Sequence, residues 1–316
     1  MFCQAILLKK NGEVSLIGKD TRFFVYTEDV ITIAKQPWTE AKIDKWLKQG
    51  RGQGELEGYR PWITAQDYPS NGRSSRIKGW KSGRIHHFLS DIETRYFYIL
   101  EYDGVEIWDI REHYPALDLQ DTLGDCDIDW SKHRDKESGT PHIFTTTFLL
   151  TLKDAGGKKQ YVARSVKAAA ELEKPKVLER FELLRRYFAE KQIDWGIVTQ
   201  HDINVTRAKN IEWVHSAKNL DEGAEFTVQD VPRLKGILLE WLDGTRKSVR
   251  DATNALDTQF NLTPGSGLLL LRHLIANKQV LVNMDERIDL GKPVREVVRE
   301  IDAIRGDGDV RDAVDG

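Results

Sequence analysis

The stretch TTTFLLTLKDAGGKKQYVARSVK, residues 145–167, constrains the fold of this chain most. Two runs rich in Thr, Leu, Val and Tyr flank a Gly-Gly turn, the pattern of a β-hairpin. Side chains alternate faces along a strand, so Ser165 and Lys167 point the same way from the second one. A polar residue two positions before a lysine, with an acid on the neighbouring strand, is how many α/β nucleases hold a divalent ion and orient water. Where such an acid would stand, the first strand offers Thr147.

The surrounding segments predict what the hairpin packs with. Ser90 opens a helix, SDIETRYFYILEY, in which Glu93 is both a candidate ion ligand and the last residue of a Ser-x-x-Glu capping box. The next run, VEIWDI, alternates so that Val105, Ile107 and Asp109 share a face. After the hairpin, Pro175 begins a helix carrying Val177, Leu178, Phe181, Leu184 and Phe188 at three-four spacing, and WGIVT at 195–199 reads as a buried strand. Helix, strand, hairpin, helix, strand predict an α/β domain: a mixed sheet with helices on its faces.

Outside this unit the pattern changes. Residues 1–36 alternate around Asn11-Gly12 and predict a small β-rich extension containing a hairpin. Thr39 caps a helix running to about Lys48, whereas the polar stretch 118–141 reads as a loop or a partly ordered insertion. From about residue 225 the pattern is VPRLKGILLEWL, RKSVRDATNALDTQF and PGSGLLLLRHLIAN, followed by the short strand QVLVNM and the charged DERID. Three helices with a strand pair and a charged tip describe a winged-helix module, and a plain helical bundle fits nearly as well. The acidic, glycine-containing tail 306–316 predicts flexible chain.

Composition narrows the function. With 316 residues, 40% hydrophobic and 31% charged, the chain suits a soluble protein of two domains. No apolar run has membrane-spanning length and the start does not read as a signal peptide, so a cytoplasmic protein without a membrane partner is expected. Cys3 and Cys126 stand far apart, which indicates neither a disulfide framework nor a zinc site. At a net charge of −3, any attraction to nucleic acid must be local. One such place is the acid-free stretch from Tyr68 to Ser90, where Arg73, Arg76, Lys78, Lys81 and Arg84 recur around Trp80. It suits a basic loop or hairpin over phosphates, the alternative being a solvated loop with no partner. His86 and His87 either touch DNA there or pack inward, and Arg246, Lys247 and Arg250 offer DNA or protein contacts downstream.

The segments QGRGQG (49–54), YRPWITAQDYPSNGRSSRI (59–77), SGRIHHFLSDIE (82–93), DIREHYPAL (109–117), TTTFLL, ARSVK, LERFELLRRYF and NIEWVH (210–215) resemble TnsA. TnsA is the endonuclease subunit of heteromeric bacterial transposases, some of them CRISPR-associated, and the likeness spans residues 39–215. It implies a restriction-endonuclease-like catalytic domain over 37–215 and a winged-helix domain over 216–305. The implied chemistry is hydrolysis of the 5′, non-transferred strand at transposon ends, dependent on Mg²⁺ with Mn²⁺ as a substitute. The implied partners are transposon-end DNA, the transposase TnsB, which cuts and joins the 3′ ends, and the ATPase regulator TnsC.

The resemblance carries the family's helix glutamate onto Glu93, its strand lysine onto Lys167, and the polar residue before that lysine, acting through its backbone carbonyl, onto Ser165. The family's strand aspartate falls on Thr147. A neutral hydroxyl does not replace a carboxylate at a hard cation, and losing one costs about 3 kcal/mol, or roughly a hundredfold in rate. Asp109, Glu112 and His142 are the groups that could stand in. Two functions are therefore expected of such a chain: a 5′-strand nuclease, or an inactive DNA- and partner-binding subunit of the same assembly.

Overall fold

A computed structural model describes residues 38–67, 73–104, 106–124, 127–220, 226, 229–242 and 246–301, together with the backbone at 7–10 and 13–16. Those last two stretches are β1 (Leu7–Lys10) and β2 (Glu13–Leu16), paired antiparallel from Leu7↔Leu16 to Lys10↔Glu13. Asn11 and Gly12, which the sequence expects to turn the hairpin, lie outside the described residues. The rest of the N-terminal extension, both cysteines and the tail 306–316 lie outside the described residues.

Helix α1 (Glu40–Lys48) starts where Thr39 Oγ1 accepts the Lys42 N–H at 3.3 Å. The acid-free stretch forms β3 (Ser75–Lys78) and β4 (Ile85–Phe88), an antiparallel pair in register from Ser75↔Phe88 to Lys78↔Ile85. Helix α2 (Asp91–Asp103) follows, with the Glu93 N–H on Ser90 Oγ at 3.3 Å. Then come β5 (Ile107–Pro115), the short α3 (Leu119–Leu123), β6 (Thr145–Lys153), β7 (Lys159–Val166), α4 (Pro175–Glu190), β8 (Asp194–Val198) and α5 (Val205–His215). The central sheet has the order β5-β6-β7-β8, antiparallel except for the parallel pair β7–β8. This is the predicted mixed sheet with helices on its faces.

Two expectations need correction. Strand β8 is an edge strand with Ile197 37% exposed, so it is not buried on both faces. Leu178 of the apolar stripe on α4 is 49% exposed, because the helix packs on the sheet from Phe181 onward, through Leu183, Leu184, Tyr187 and Phe188.

Past α5 the chain forms α6 (Val231–Leu242), α7 (Val249–Phe260), α8 (Ser266–Ala276), β9 (Val280–Val282), the single turn α9 (Val294–Val297) and β10 (Val298–Ile301). Strands β9 and β10 pair antiparallel, giving three helices and a strand pair. One apolar cluster runs from Phe97 and Phe148 beside the sheet through Ile211 and Val214 of α5 to Leu238, Leu256 and Leu271. Polar ties cross the same seam: Arg207 grips Asp103 at 2.6 Å and Asp285 at 3.2 Å, Asn210 donates to the Met284 carbonyl at 2.8 Å, and Tyr102 donates to the Ile275 carbonyl at 3.3 Å. On the other face of the sheet a separate cluster joins Leu149 and Ala163 to α4 and Phe144.

Candidate active site

The hairpin that dominates the sequence forks. Strands β6 and β7 pair from Lys153↔Lys159 as far as Phe148↔Arg164. Beyond that point β6 stays with β5 to Thr145↔Pro115, while β7 stays with β8 to Val166↔Val198 and on to the bond from Lys167 N–H to the Val198 carbonyl, 2.9 Å. Where the strands part, the Val166 N–H finds no carbonyl on β6 and donates to Thr147 Oγ1 at 2.9 Å. The threonine hydroxyl thus satisfies a backbone group that the ladder leaves open.

Lys167 stands at the mouth of this fork and lines a cleft of about 900 Å³ with Thr145, Leu89 and His142. Glu93 is bonded to Leu89 of the cleft lining, its Oε2 accepting that N–H at 2.7 Å while its own N–H caps onto Ser90. The capping-box role and a place beside the cleft therefore coexist in one side chain. Ser165 turns away: its hydroxyl is 2% exposed and bonded to Trp195 Nε1 and Thr146 Oγ1, each at 3.1 Å.

Neither alternative acid comes to the fork. Asp109 is buried, accepting from Leu56 N–H at 3.0 Å with Arg111 Nε 3.6 Å away. Glu112, also buried, takes both guanidinium nitrogens of Arg84, His86 Nδ1 at 2.8 Å and the His87 N–H at 3.1 Å. Burial alone would raise the Glu112 carboxyl, but His86 and Arg84 overcome it and hold it well below the usual carboxylate range. Ser82 Oγ meets His86 Nε2 at 2.7 Å, so Ser82, His86 and Glu112 form a serine-histidine-acid series. Ser82 is 4% exposed and the other two 0%, so no substrate reaches them, and the series ties the β3–β4 hairpin to β5.

Among the described residues no group of three or more His, Cys, Asp or Glu side chains is placed to hold a metal ion. Glu93 is bonded to Leu89 of the cleft lining and Thr147 is uncharged, so the residues present do not gather the several charged oxygens that a catalytic divalent cation needs.

The predicted phosphate-binding cations divide. Arg76 and Lys78 are exposed and, by strand alternation, share one face of β3; Arg73 is exposed, with Asp91 at 3.7 Å and Glu212 at 3.8 Å. Arg84 does not face solvent, because its guanidinium is the buried partner of Glu112 and also donates to the Ile110 carbonyl at 2.8 Å. Lys81 points inward as well: its Nζ donates to the Gly104 carbonyl at the end of α2, 2.8 Å, and burial lowers its pKa. Trp80 fixes this inward end by stacking on His215 with ring centres 4.5 Å apart. His86 packs in the core, and His87 Nδ1 accepts the Ala65 N–H at 3.4 Å. Arg246, Lys247 and Arg250 are exposed at the start of α7.

The cleft contains cations that sequence reading passed over. The stretch 118–141, expected as a loop or partly ordered insertion, holds α3 and a turn over Trp130–His133. It is tied down by Trp38 Nε1 on the Pro141 carbonyl (2.8 Å), Ser138 Oγ on the Trp38 carbonyl (2.6 Å) and His142 N–H on the His133 carbonyl (2.9 Å). It brings Lys132 and Lys136 to the cleft, and α4 adds Lys176 and Arg180. The one available signal was the four-residue spacing of Lys176 and Arg180, which puts both on one helix face.

A forked mixed sheet with helices on both faces, a lysine at the fork and a capped glutamate beside it is the architecture of endonuclease-like α/β proteins. Two family models match the chain, TnsA-like endonuclease N terminal over residues 106–200 and TnsA endonuclease C terminal over residues 202–284. The chain is 38% identical over 253 residues to the Transposon Tn7 transposition protein TnsA of Escherichia coli, covering 79% of this chain and 89% of that protein. It belongs to the TnsA endonuclease family.

Proposed function

We propose that this chain is the nuclease subunit of a Tn7-type transposition system, hydrolysing the 5′, non-transferred strand at transposon ends alongside a TnsB transposase and a TnsC ATPase. The observation that carries this reading is the fork itself: where β6 and β7 part, the Thr147 hydroxyl takes the Val166 N–H, and the next residue, Lys167, lines the cleft. In such a site Lys167 neutralises the phosphate under attack, and Glu93 contributes one carboxylate. Magnesium, with manganese as the alternative, is the cofactor that the family implies, and the residues fit it only when position 147 carries a second carboxylate. As the chain stands, its cutting is expected to be about a hundredfold or more below that of a Thr147→Asp variant.

The three C-terminal helices and the β9–β10 pair suit a winged-helix module, which in this reading docks DNA or a partner subunit. The test is 5′-strand cleavage of a transposon-end substrate with the two partners present, in Mg²⁺ and in Mn²⁺. Strong cutting by Thr147→Asp that Lys167→Ala removes supports the reading; no cutting by Thr147→Asp in either metal refutes it.

A further inference from the structure

The cleft beside Lys167 carries a charge imbalance. It is lined by Lys132, Lys136, Lys167, Lys176 and Arg180 against one carboxylate, Glu179. These cations come from three separate pieces of chain: the 127–142 segment, the end of β7, and α4. Among the described residues, no carboxylate stands within ion-pair distance of Lys136, Lys167, Lys176 or Arg180, and Lys132 has Asp129 only at 3.9 Å.

Several exposed cations of α4 and its surroundings are closely paired instead. On the same helix Arg185 and Arg186 share Glu182 at 2.7 and 2.8 Å, and Lys191 holds Asp118 at 2.5 Å. Nearby, Lys174 holds Glu171 and Arg164 holds Asp194, both at 2.6 Å. Among the described residues Lys136, Lys167, Lys176 and Arg180 have no such close partner, and they line one cleft. Arg180 is also oriented there by Phe144, its guanidinium lying 4.7 Å from the ring centre.

We infer that this cleft grips the phosphate backbone of one DNA strand, with Lys132 and Lys136 of the 127–142 segment, and Lys176 and Arg180 of α4, as its phosphate contacts. A polyanion is what several unpaired cations on separate elements suit, because each can neutralise a phosphate and release a counterion. That the polyanion is DNA and not an acidic peptide rests on the nuclease reading above, which requires the scissile phosphate to lie at Lys167. The 127–142 segment is thus a positioning surface, and the exposed face of Arg76 and Lys78 on β3 is not the only basic one available to the substrate.

The test is binding of a short fluorescein-labelled DNA strand, alone and as a duplex, to the full chain without divalent metal, followed by anisotropy across a salt series. The variants are Lys132→Glu with Lys136→Glu, Lys176→Glu with Arg180→Glu, and, as a control of equal charge change on the same helix, Arg185→Glu with Arg186→Glu. Each cleft pair is expected to weaken binding about tenfold or more and to flatten the log-affinity against log-salt slope by about 0.7–0.9 per lost contact, with the control near wild type. Equal losses in the control, or unchanged slopes in both cleft pairs, overturn the proposal, as do cleft variants that lose only the binding of a labelled polyglutamate peptide. In the Thr147→Asp background, cutting that survives both cleft pairs also overturns it while leaving the nuclease reading intact. If Thr147→Asp does not cut, yet the cleft pairs still lose DNA, the nuclease reading fails and the binding surface stands.

Discussion

Thr147 Oγ1 accepts the Val166 N–H at 2.9 Å, a hydrogen bond that an aspartate at this position would also make. Position 147 is therefore prepared for a carboxylate: the fork is open and an N–H already points at the side chain. Thr147→Asp is expected to raise metal-dependent strand cutting about a hundredfold or more with little change in fold, because one carboxylate oxygen can take the amide while the other faces the ion. Single-turnover cleavage together with a melting curve checks both halves. A Thr147→Asp variant that melts as before and still cuts no faster would sink the idea.

Glu112 is fully buried with Arg84 and His86 on its carboxylate, and breaking its pair leaves Arg84 buried without a counter-charge. Glu112→Gln should cost about 3–5 kcal/mol, read as a fall in Tm or in denaturant midpoint. Its folded pKa lies below the ordinary 4.5, so its stabilisation is complete above that pH and fades as the solution is acidified below it. The wild-type chain should thus lose stability below pH 4.5 more steeply than Glu112→Gln does. Parallel acid limbs in the two proteins would contradict this account.

Asp118 offers a milder version of the same effect. Partial burial raises its carboxyl slightly, but hydrogen bonds from Lys191 and Tyr187 bring it down to about 2. The sign is again that of a lowered carboxylate, with stability present above the ordinary 3.8 and lost as pH falls from there towards about 2. Because its side chain is 47% exposed, solvent screening keeps the contribution of the Lys191 pair below about 1 kcal/mol. Asp118→Asn should therefore lower Tm by only a few degrees at neutral pH, and the gap should shrink in high salt; a gap that is large and indifferent to salt argues against this.

Gly267 lies in α8 where that helix crosses α7. A Cβ there would press into the Thr253 carbonyl, with its carbon 3.0 Å away, and backbone cannot swing aside as a side-chain tip can. Gly267→Ala is expected to destabilise the chain by about 1–3 kcal/mol, despite alanine's better helix propensity. Thermal melting gives the answer, with an increase in Tm as the contrary result.

The fold was legible where a local signal has one physical meaning. The strands flanking Asn11-Gly12 pair as a hairpin and Ser90 caps α2 with Glu93, because each depends only on residues a few positions apart. The sequence also pointed to Lys167, though only the fork explains why β7 must leave β6 there. What stayed hidden needs partners distant in sequence. Arg84 looked like one basic residue among five until Glu112, on a strand 28 residues away, was seen to bury it. Lys132 and Lys136 sat in a stretch with no periodicity, so nothing local announced that Trp38 and Pro141 fasten it beside the fork. Leu178 shows the converse error, since a correct helical stripe does not reveal how much of the helix lies on the sheet.

The apolar cluster that continues from the sheet through α5 into α6, α7 and α8 has a mechanical consequence. The halves matched by separate family models are not beads on a string. A fragment ending at residue 200 would strip α5 and the C-terminal helices from α2, leaving a sticky face for aggregation in place of an independent nuclease. The shared core instead makes the sheet that carries the β6–β7 fork and the C-terminal helices one packed body, so a load applied to either half is felt by the other.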